Sequence, residues 1–177
     1  MLTVKKLALS TLISSSLLFY PALQAAAETP QHVVKQPAGG YSVQVGDVLV
    51  TSFTDGTVAQ DLHKLLRRTT PQKIDALLAK NFQTNPPEVS INAFLIAMPG
   101  HKILVDTGSG QLFGPGNGGR LIESLATQGI KPADITEVLL THAHSDHAGG
   151  LVKDGKVVFS NARVFVGKPD VDFFFND

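Results

Sequence analysis

The 177-residue chain contains no cysteine and no tryptophan, and its formal net charge at pH 7 is zero. Without cysteine the protein can form no disulfide, and it has no thiolate to act as a nucleophile or a metal ligand. Any metal site must therefore use nitrogen and oxygen ligands. The balanced charge, with no basic run, argues against nucleic acid as a partner.

The longest apolar run lies at the N-terminus and is too short to span a bilayer. Lys5 and Lys6 precede it, and Ala25-Ala26-Ala27 follows it with the small residues of a cleavage site, so residues 1–27 are predicted to be a signal peptide. An uncleaved membrane anchor is the alternative. No second long apolar run follows, which predicts a soluble, periplasmic or secreted mature protein that has no membrane partner once the signal is removed.

The mature chain opens with residues 28–40, a Pro- and Gly-containing stretch predicted to be an arm without regular structure. Tyr41–Val45 and residues 47–54 read as two strands joined at Gly46-Asp47, because the residues on either side are mostly apolar or alternate. Asp55-Gly56 is predicted to be a second turn.

Helix and strand signals then alternate along the chain, as expected for an α/β fold. Pro71 behind Thr70 predicts a helix start, and residues 120–128 form a second amphipathic pattern. The predicted strands are Val89–Ala97, Ile103–Val105, Glu137–Leu140, Lys156–Phe159 and Arg163–Val166. Asp170 is predicted to cap a last helix that begins at Val171.

Three histidines and one aspartate fall within six residues, at His142, His144, Asp146 and His147. Imidazole and carboxylate are ligands that suit zinc and other first-row divalent ions. If the preceding strand runs on to Thr141, the first two imidazoles can point to one side of an extended backbone, and a turn returns the other two ligands. Unrelated surface or core histidines are the alternative interpretation.

Asp106 ends the predicted strand Ile103–Val105 and is followed by Thr107-Gly108. Such an aspartate is often a simple turn residue. It can also be a carboxylate that orients a metal-ligating imidazole or the loop carrying it. The second interpretation is favoured because this strand is expected to lie beside the strand that leads to His142.

These motifs resemble the metallo-β-lactamase superfamily from about Tyr41 to the end of the chain. The carrying residues are Thr-His-Ala-His-Ser-Asp-His-Ala-Gly-Gly at residues 141–150 and Leu-Val-Asp-Thr-Gly at residues 104–108. The branch that looks most similar is the methyl parathion hydrolase and lactonase-like one, on the evidence of Asn92–Ile96, residues 106–115 and the hairpin from Gly46-Asp47 to Thr54-Asp55-Gly56-Thr57.

The resemblance implies an αββα sandwich over residues 41–177 with two zinc ions, or other divalent metals, at one edge. By the family pattern, His142 and His144 would bind the first ion, and Asp146 and His147 the second, while Asp106 would support them from outside. The family also uses later histidines and an aspartate, yet no histidine follows His147. The chain therefore looks like the N-terminal half of such a protein.

The implied activity is that of a hydrolase whose metal-bound hydroxide opens a lactone, ester or phosphotriester, with Asp146 also accepting a hydrogen bond from the nucleophile. The apolar loop at Leu112 and Phe113 favours an uncharged, hydrophobic small-molecule substrate over a phosphomonoester. A β-lactam-hydrolysing enzyme, an inactive metal-binding fragment and a truncated product that does not fold stably remain alternatives. The sequence indicates no oligomeric state.

Overall fold

A six-stranded mixed sheet organises residues 40–175, the part of the chain that the computed structural model describes. The predicted signal peptide and residues 28–39 of the predicted arm lie outside the described residues. The strands are β1 (Gly40–Val45), β2 (Val48–Ala59), β3 (Glu88–Met98), β4 (His101–Val105), β5 (Glu137–Leu139), β6 (Val152–Lys153), β7 (Lys156–Val157) and β8 (Arg163–Phe165). The large sheet has the order β1-β2-β3-β4-β5-β8, and β6 pairs with β7 in a separate hairpin.

The first four strands form an antiparallel meander, whereas β4, β5 and β8 run parallel. The predicted hairpin at Gly46-Asp47 is confirmed, since Val45 pairs with Val48 across a two-residue turn in which Gly46 has a φ of 58°. The prediction that the strand ending at Asp106 lies beside the strand leading to His142 is also confirmed, because β4 pairs with β5.

Residues 40–175 contain five α-helices: α1 (Leu62–Leu65), α2 (Pro71–Ala79), α3 (Leu121–Ala126), α4 (Ser145–Ala148) and α5 (Lys168–Phe175), the last of which follows β8. Short 3-10 turns cover Pro132–Asp134 and Gly149–Leu151. The predicted start of α2 is confirmed, because the Thr70 side chain accepts a hydrogen bond from the Lys73 amide and Pro71 occupies the first turn. No helix among residues 40–175 combines the length and apolarity that a bilayer crossing requires.

The predicted turn at Asp55-Gly56 is wrong, because β2 runs through it. The register shifts there by one residue, so that Thr54 pairs with Asn92 and Gly56 with Ile91 while Asp55 has no opposite partner. This is a β-bulge, which bends the strand and re-aims one side chain. The bulge turns Asp55 inward, where its exposed fraction is 0%.

Two predictions near the C-terminal end of the described residues are also wrong. The pattern at Lys156–Phe159 gives only β7, because its antiparallel partner β6 is two residues long and the pairing ends at Val152 and Val157. The helix predicted to start at Val171 begins at Lys168. Asp170 therefore lies inside its first turn rather than capping it.

The sheet has one covered face and one face that is open among the described residues. The covered face meets α3 in a core made of Phe53, Ala93, Leu95, Leu104, Leu121, Leu125, Ile135, Val138 and Phe159. The opposite face, here called the open face, carries Tyr41, Val43, Val45, Phe94 and Phe165, which are 43–62% exposed. These residues face away from the core because side chains alternate along each strand.

The start of α1 is held by a small carboxylate network. The Asp61 side chain accepts hydrogen bonds from the Asn85 side chain at 2.8 Å and from the His63 amide at 3.1 Å. The Asn85 hydrogen bond and the nearby Lys64 ammonium lower the pKa of Asp61 from 3.8 to about 2.

Candidate metal centre

The three clustered histidines meet at one end of the sheet. β5 ends at Leu139 instead of continuing to Thr141, so residues 140–144, here called the ligand loop, are irregular. The ring centroids of His142 and His144 are nevertheless 4.7 Å apart, and those of His142 and His147 are 3.9 Å apart. The first turn of α4 carries Asp146 and His147 back towards the loop.

Asp106 lies beneath this cluster and contacts it directly. The residue is 5% exposed, and its Oδ2 lies 2.8 Å from Nδ1 of His147. An ionised carboxylate can only accept, so this contact assigns the proton to Nδ1 of His147 and leaves Nε2 with a free lone pair. Asp106 reaches this position in a left-handed backbone conformation with a φ of 61°, which aspartate tolerates better than most residues.

Thr141 links the Asp106 carboxylate to the imidazole of His142. Its hydroxyl lies 2.9 Å from Oδ2 of Asp106 and 3.0 Å from Nδ1 of His142. Since the hydroxyl has one proton, donation to the carboxylate leaves it as acceptor towards His142. One buried carboxylate therefore favours the tautomer of both His142 and His147 in which Nε2 can bind a metal.

The remaining donor atoms have a spacing that suits a divalent metal. Nε2 of His147 lies 3.3 Å from Oδ2 of Asp146. Two ligand atoms about 2.0–2.2 Å from a tetrahedral zinc ion are separated by about 3.3–3.5 Å, so the spacing of this pair fits a shared zinc ion. Within residues 40–175, no set of three or more His, Cys, Asp or Glu side chains is arranged around one ion. The assignment of the four ligands therefore stays a prediction.

Close backbone packing holds α4 against the loop that follows β4. The Thr107 amide and hydroxyl both donate to the His147 carbonyl, at 2.7 and 2.8 Å. The Gly150 amide donates to the Gly108 carbonyl at 3.1 Å. A Cβ at Gly150 would overlap the Thr107 carbonyl oxygen, so this close approach requires glycine.

Sequence reasoning missed Asp55, which organises the loop between Asp106 and α3. Its carboxylate accepts four hydrogen bonds: from the Ser109 amide and hydroxyl at 2.8 and 2.9 Å, from the Gly119 amide at 2.8 Å and from the Leu121 amide at 3.0 Å. The last contact caps α3, whose own N-cap residue Arg120 makes no side-chain cap bond. The Asp-Gly pair was the available signal, but a bulge and a turn share it.

A groove of about 710 Å³ opens beside His144. Leu112, Leu151, Val152 and Phe174 contribute apolar surface to it, and none of the described residues that line it is lysine or arginine. The rings of Phe174 and His144 meet edge to face, with centroids 5.7 Å apart. A ligand in the groove would thus contact both a metal-centre imidazole and an apolar wall.

The two other histidines within residues 40–175 lie away from this cluster in sequence and make other contacts. Nε2 of His63 is 2.8 Å from Asp75, and Nδ1 of His101 is 3.1 Å from Glu137. The pKa of Glu137 is lowered first by the Thr136 hydroxyl, and also by His101 and Arg163. Both histidines are therefore engaged in ion pairs or hydrogen bonds of the fold.

Comparison with known proteins finds similarity to one superfamily. A family model described as "Metallo-beta-lactamase superfamily" matches residues 86–153. Among solved structures, AidC, described as a dizinc quorum-quenching lactonase in complex with a product, is 33% identical with a TM-score of 0.73 over 78% of this chain and 48% of that chain. The hydrolase AbOPH, described as in the beta lactamase superfamily, is 35% identical with a TM-score of 0.71 over 80% of this chain and 49% of that chain.

A curated relative matches over a shorter segment. Metallo-beta-lactamase domain-containing protein 1 of Mus musculus is 57% identical over 49 residues, which are 28% of this chain and 17% of that protein. The chain thus spans about half the length of the two solved structures and a smaller share of the mouse protein.

Proposed function

We propose that this chain carries a domain of the metallo-beta-lactamase superfamily and, from that premise, that the whole protein is an exported, zinc-dependent hydrolase of small, uncharged esters. The observation that carries the proposal is the arrangement around Asp106. That single buried carboxylate favours the metal-binding tautomer of His147 directly and of His142 through Thr141.

His142 and His144 would hold one divalent ion, and Asp146 and His147 the other. Zinc, when bound, lowers the pKa of a coordinated water and polarises a substrate oxygen. Asp146 would also accept a hydrogen bond from the attacking water and so orient it. Asp106 would keep the His147 ring in place throughout, because its carboxylate is buried and fixed by two hydrogen-bonding side chains.

Catalytic zinc usually has three protein ligands, whereas each ion would have two here. We propose that further ligands come from residues outside 40–175, in keeping with the greater length of the matched structures. Because each ion would have only two ligands, the 177-residue chain alone is expected to bind about one equivalent of zinc or less, and weakly.

The groove beside His144 supports the substrate class. It is apolar along Leu112, Leu151 and Phe174. The described residues that line it include no lysine or arginine, the side chains that a phosphomonoester or nucleic acid would call for. An uncharged ester with an apolar substituent fits this wall. A lactone is favoured because a dizinc lactonase is among the similar structures, and an aryl phosphotriester is the next choice.

The test is a substrate panel on the full-length protein with zinc present: one lactone, one aryl phosphotriester, one carbapenem and one aryl phosphomonoester. We expect the highest kcat/KM for the lactone or the phosphotriester. A carbapenem turned over at least about ten times faster than either would replace the proposal with a β-lactamase. Turnover of the phosphomonoester alone would reject the argument from the apolar groove.

Export is proposed from the signal-peptide pattern in residues 1–27. N-terminal sequencing of the protein recovered from cells should begin within residues 26–28. A protein in the soluble fraction that still begins with Met1 would reject export with processing.

A further inference from the structure

Asp170 of α5 contacts the ligand loop between its two histidines. Oδ1 of Asp170 accepts a hydrogen bond from the Ala143 amide at 3.0 Å. Ala143 is the single residue between His142 and His144, so the His142–Ala143 peptide held by Asp170 lies in the short backbone segment that joins the two candidate ligands. A carboxylate that accepts from a backbone amide makes a charge-assisted hydrogen bond, which is stronger than a neutral one.

Asp106 also holds the ligand loop. The Thr141 amide donates to Oδ1 of Asp106 at 2.8 Å, two residues before the amide that donates to Asp170. Two carboxylates from distant parts of the chain thus hold alternate amides of the loop, and His142 lies between the two points of attachment. Since the loop belongs to no helix or strand, these contacts substitute for the ladder hydrogen bonds that a longer β5 would have supplied.

A second contact from α5 reaches the same loop. Phe174 lies four residues after Asp170, on the same side of the helix, and its ring meets the His144 ring at 5.7 Å. No residue of α5 is fully buried, so apolar burial contributes little to its position. Asp172 pairs with Lys168 at 2.5 Å, which provides a matched acidic control on the same helix.

We propose that Asp170 is a positioning residue for the metal centre: it fixes the Ala143 peptide and, through it, the spacing of the His142 and His144 imidazoles. The inference rests on the proposed function, in that these imidazoles are taken as zinc ligands. It concerns metal affinity rather than the identity of the substrate. Groups that hold metal ligands from outside commonly change metal affinity by about 10–100-fold when removed.

The experiment compares wild type, Asp170→Ala, Asp170→Asn and Asp172→Ala in the full-length protein. Two quantities are measured: the zinc dissociation constant by competition with a chromophoric chelator, and hydrogen exchange of the Ala143 amide in the metal-free protein. We expect Asp170→Ala to weaken zinc binding about tenfold or more and to speed exchange at Ala143. Asp170→Asn should stay within about threefold of wild type, because its amide oxygen still accepts a hydrogen bond.

Asp172→Ala should leave both quantities unchanged. An unchanged zinc dissociation constant in Asp170→Ala would overturn the proposal, as would an equal loss in Asp170→Asn or in Asp172→Ala. These outcomes do not depend on turnover. If wild type bound zinc but hydrolysed none of the four panel substrates, the proposed function would fail while the zinc constants still decided the role of Asp170.

Discussion

Replacing Asp55 by alanine is expected to destabilise the fold more than any surface substitution, because four donors converge on its carboxylate. Three of them are backbone amides, of Ser109, Gly119 and Leu121, and the fourth is the Ser109 hydroxyl. Each buried donor left without a partner costs about 1–3 kcal/mol, although water entering the vacated space would satisfy some of them. We therefore expect a loss of about 3–5 kcal/mol in the free energy of unfolding.

Asp55→Asn tests the origin of this loss. Oδ2 of Asp55 accepts three of the hydrogen bonds and Oδ1 accepts only the Leu121 amide. Asparagine can place its amide oxygen where Oδ2 lies in the wild type, but its NH₂ group then faces the Leu121 amide. One donor instead of four is stranded, so a loss of about 2 kcal/mol is expected. The effect should concentrate at the start of α3, which Asp55 caps.

The assay is urea unfolding of the metal-free, full-length protein, followed by two probes whose transitions must coincide before free energies are compared. Asp47→Asn, at the exposed turn between β1 and β2, is the matched control and should stay within about 0.5 kcal/mol of wild type. If Asp55→Ala cost less than about 1 kcal/mol, or no more than Asp47→Asn, the assignment of Asp55 as the organiser of this loop would be refuted.

Four further substitutions test other parts of the structure. In the full-length enzyme, His142→Ala should remove mainly one zinc ion and Asp146→Asn mainly the other, as measured by metal analysis after dialysis. Both substitutions should lower kcat by several orders of magnitude. Near-normal turnover in either variant would contradict the ligand assignment. Because the folded pKa of Asp61 is about 2 and its ordinary value is 3.8, its stabilisation is present above pH about 4 and is lost as the pH falls towards 2. Thermal unfolding should show this decline in wild type and a smaller one in Asp61→Asn, and identical profiles would show that the carboxylate makes no such contribution. Gly150→Ala should lower the melting temperature and weaken zinc binding, because its Cβ would overlap the Thr107 carbonyl oxygen, and an unchanged melting temperature would contradict that packing.

Features determined by neighbours in sequence were predictable. The hairpin at Gly46-Asp47 and the start of α2 at Thr70-Pro71 depend on residues a few positions apart, and the structure contains both. The clustering of His142, His144 and His147 is likewise local in sequence, and their rings meet in space.

Features determined by distant partners were not predictable in the same way. Asp55-Gly56 is typical of a turn, and only the pairing of β2 with β3 makes it a bulge. The Asp55 carboxylate then accepts hydrogen bonds from residues that follow it by 54 to 66 positions in the sequence. The sequence around Asp170 predicts a helix cap. Its partner in the structure is Ala143, 27 residues earlier, which no local pattern indicates. In both cases a polar side chain has a plausible local role, and tertiary packing replaces it with a long-range one.

The open face of the sheet governs how a fragment confined to residues 40–175 would behave in solution. It combines exposed side chains such as Tyr41, Val43 and Phe94 with strand β1 at one edge of the sheet. Apolar patches of this kind promote self-association, and an edge strand offers a template for pairing with another chain. Such a fragment is expected to bind apolar dyes, to collect in inclusion bodies on overexpression, and to lose dye binding when another protein layer covers the face.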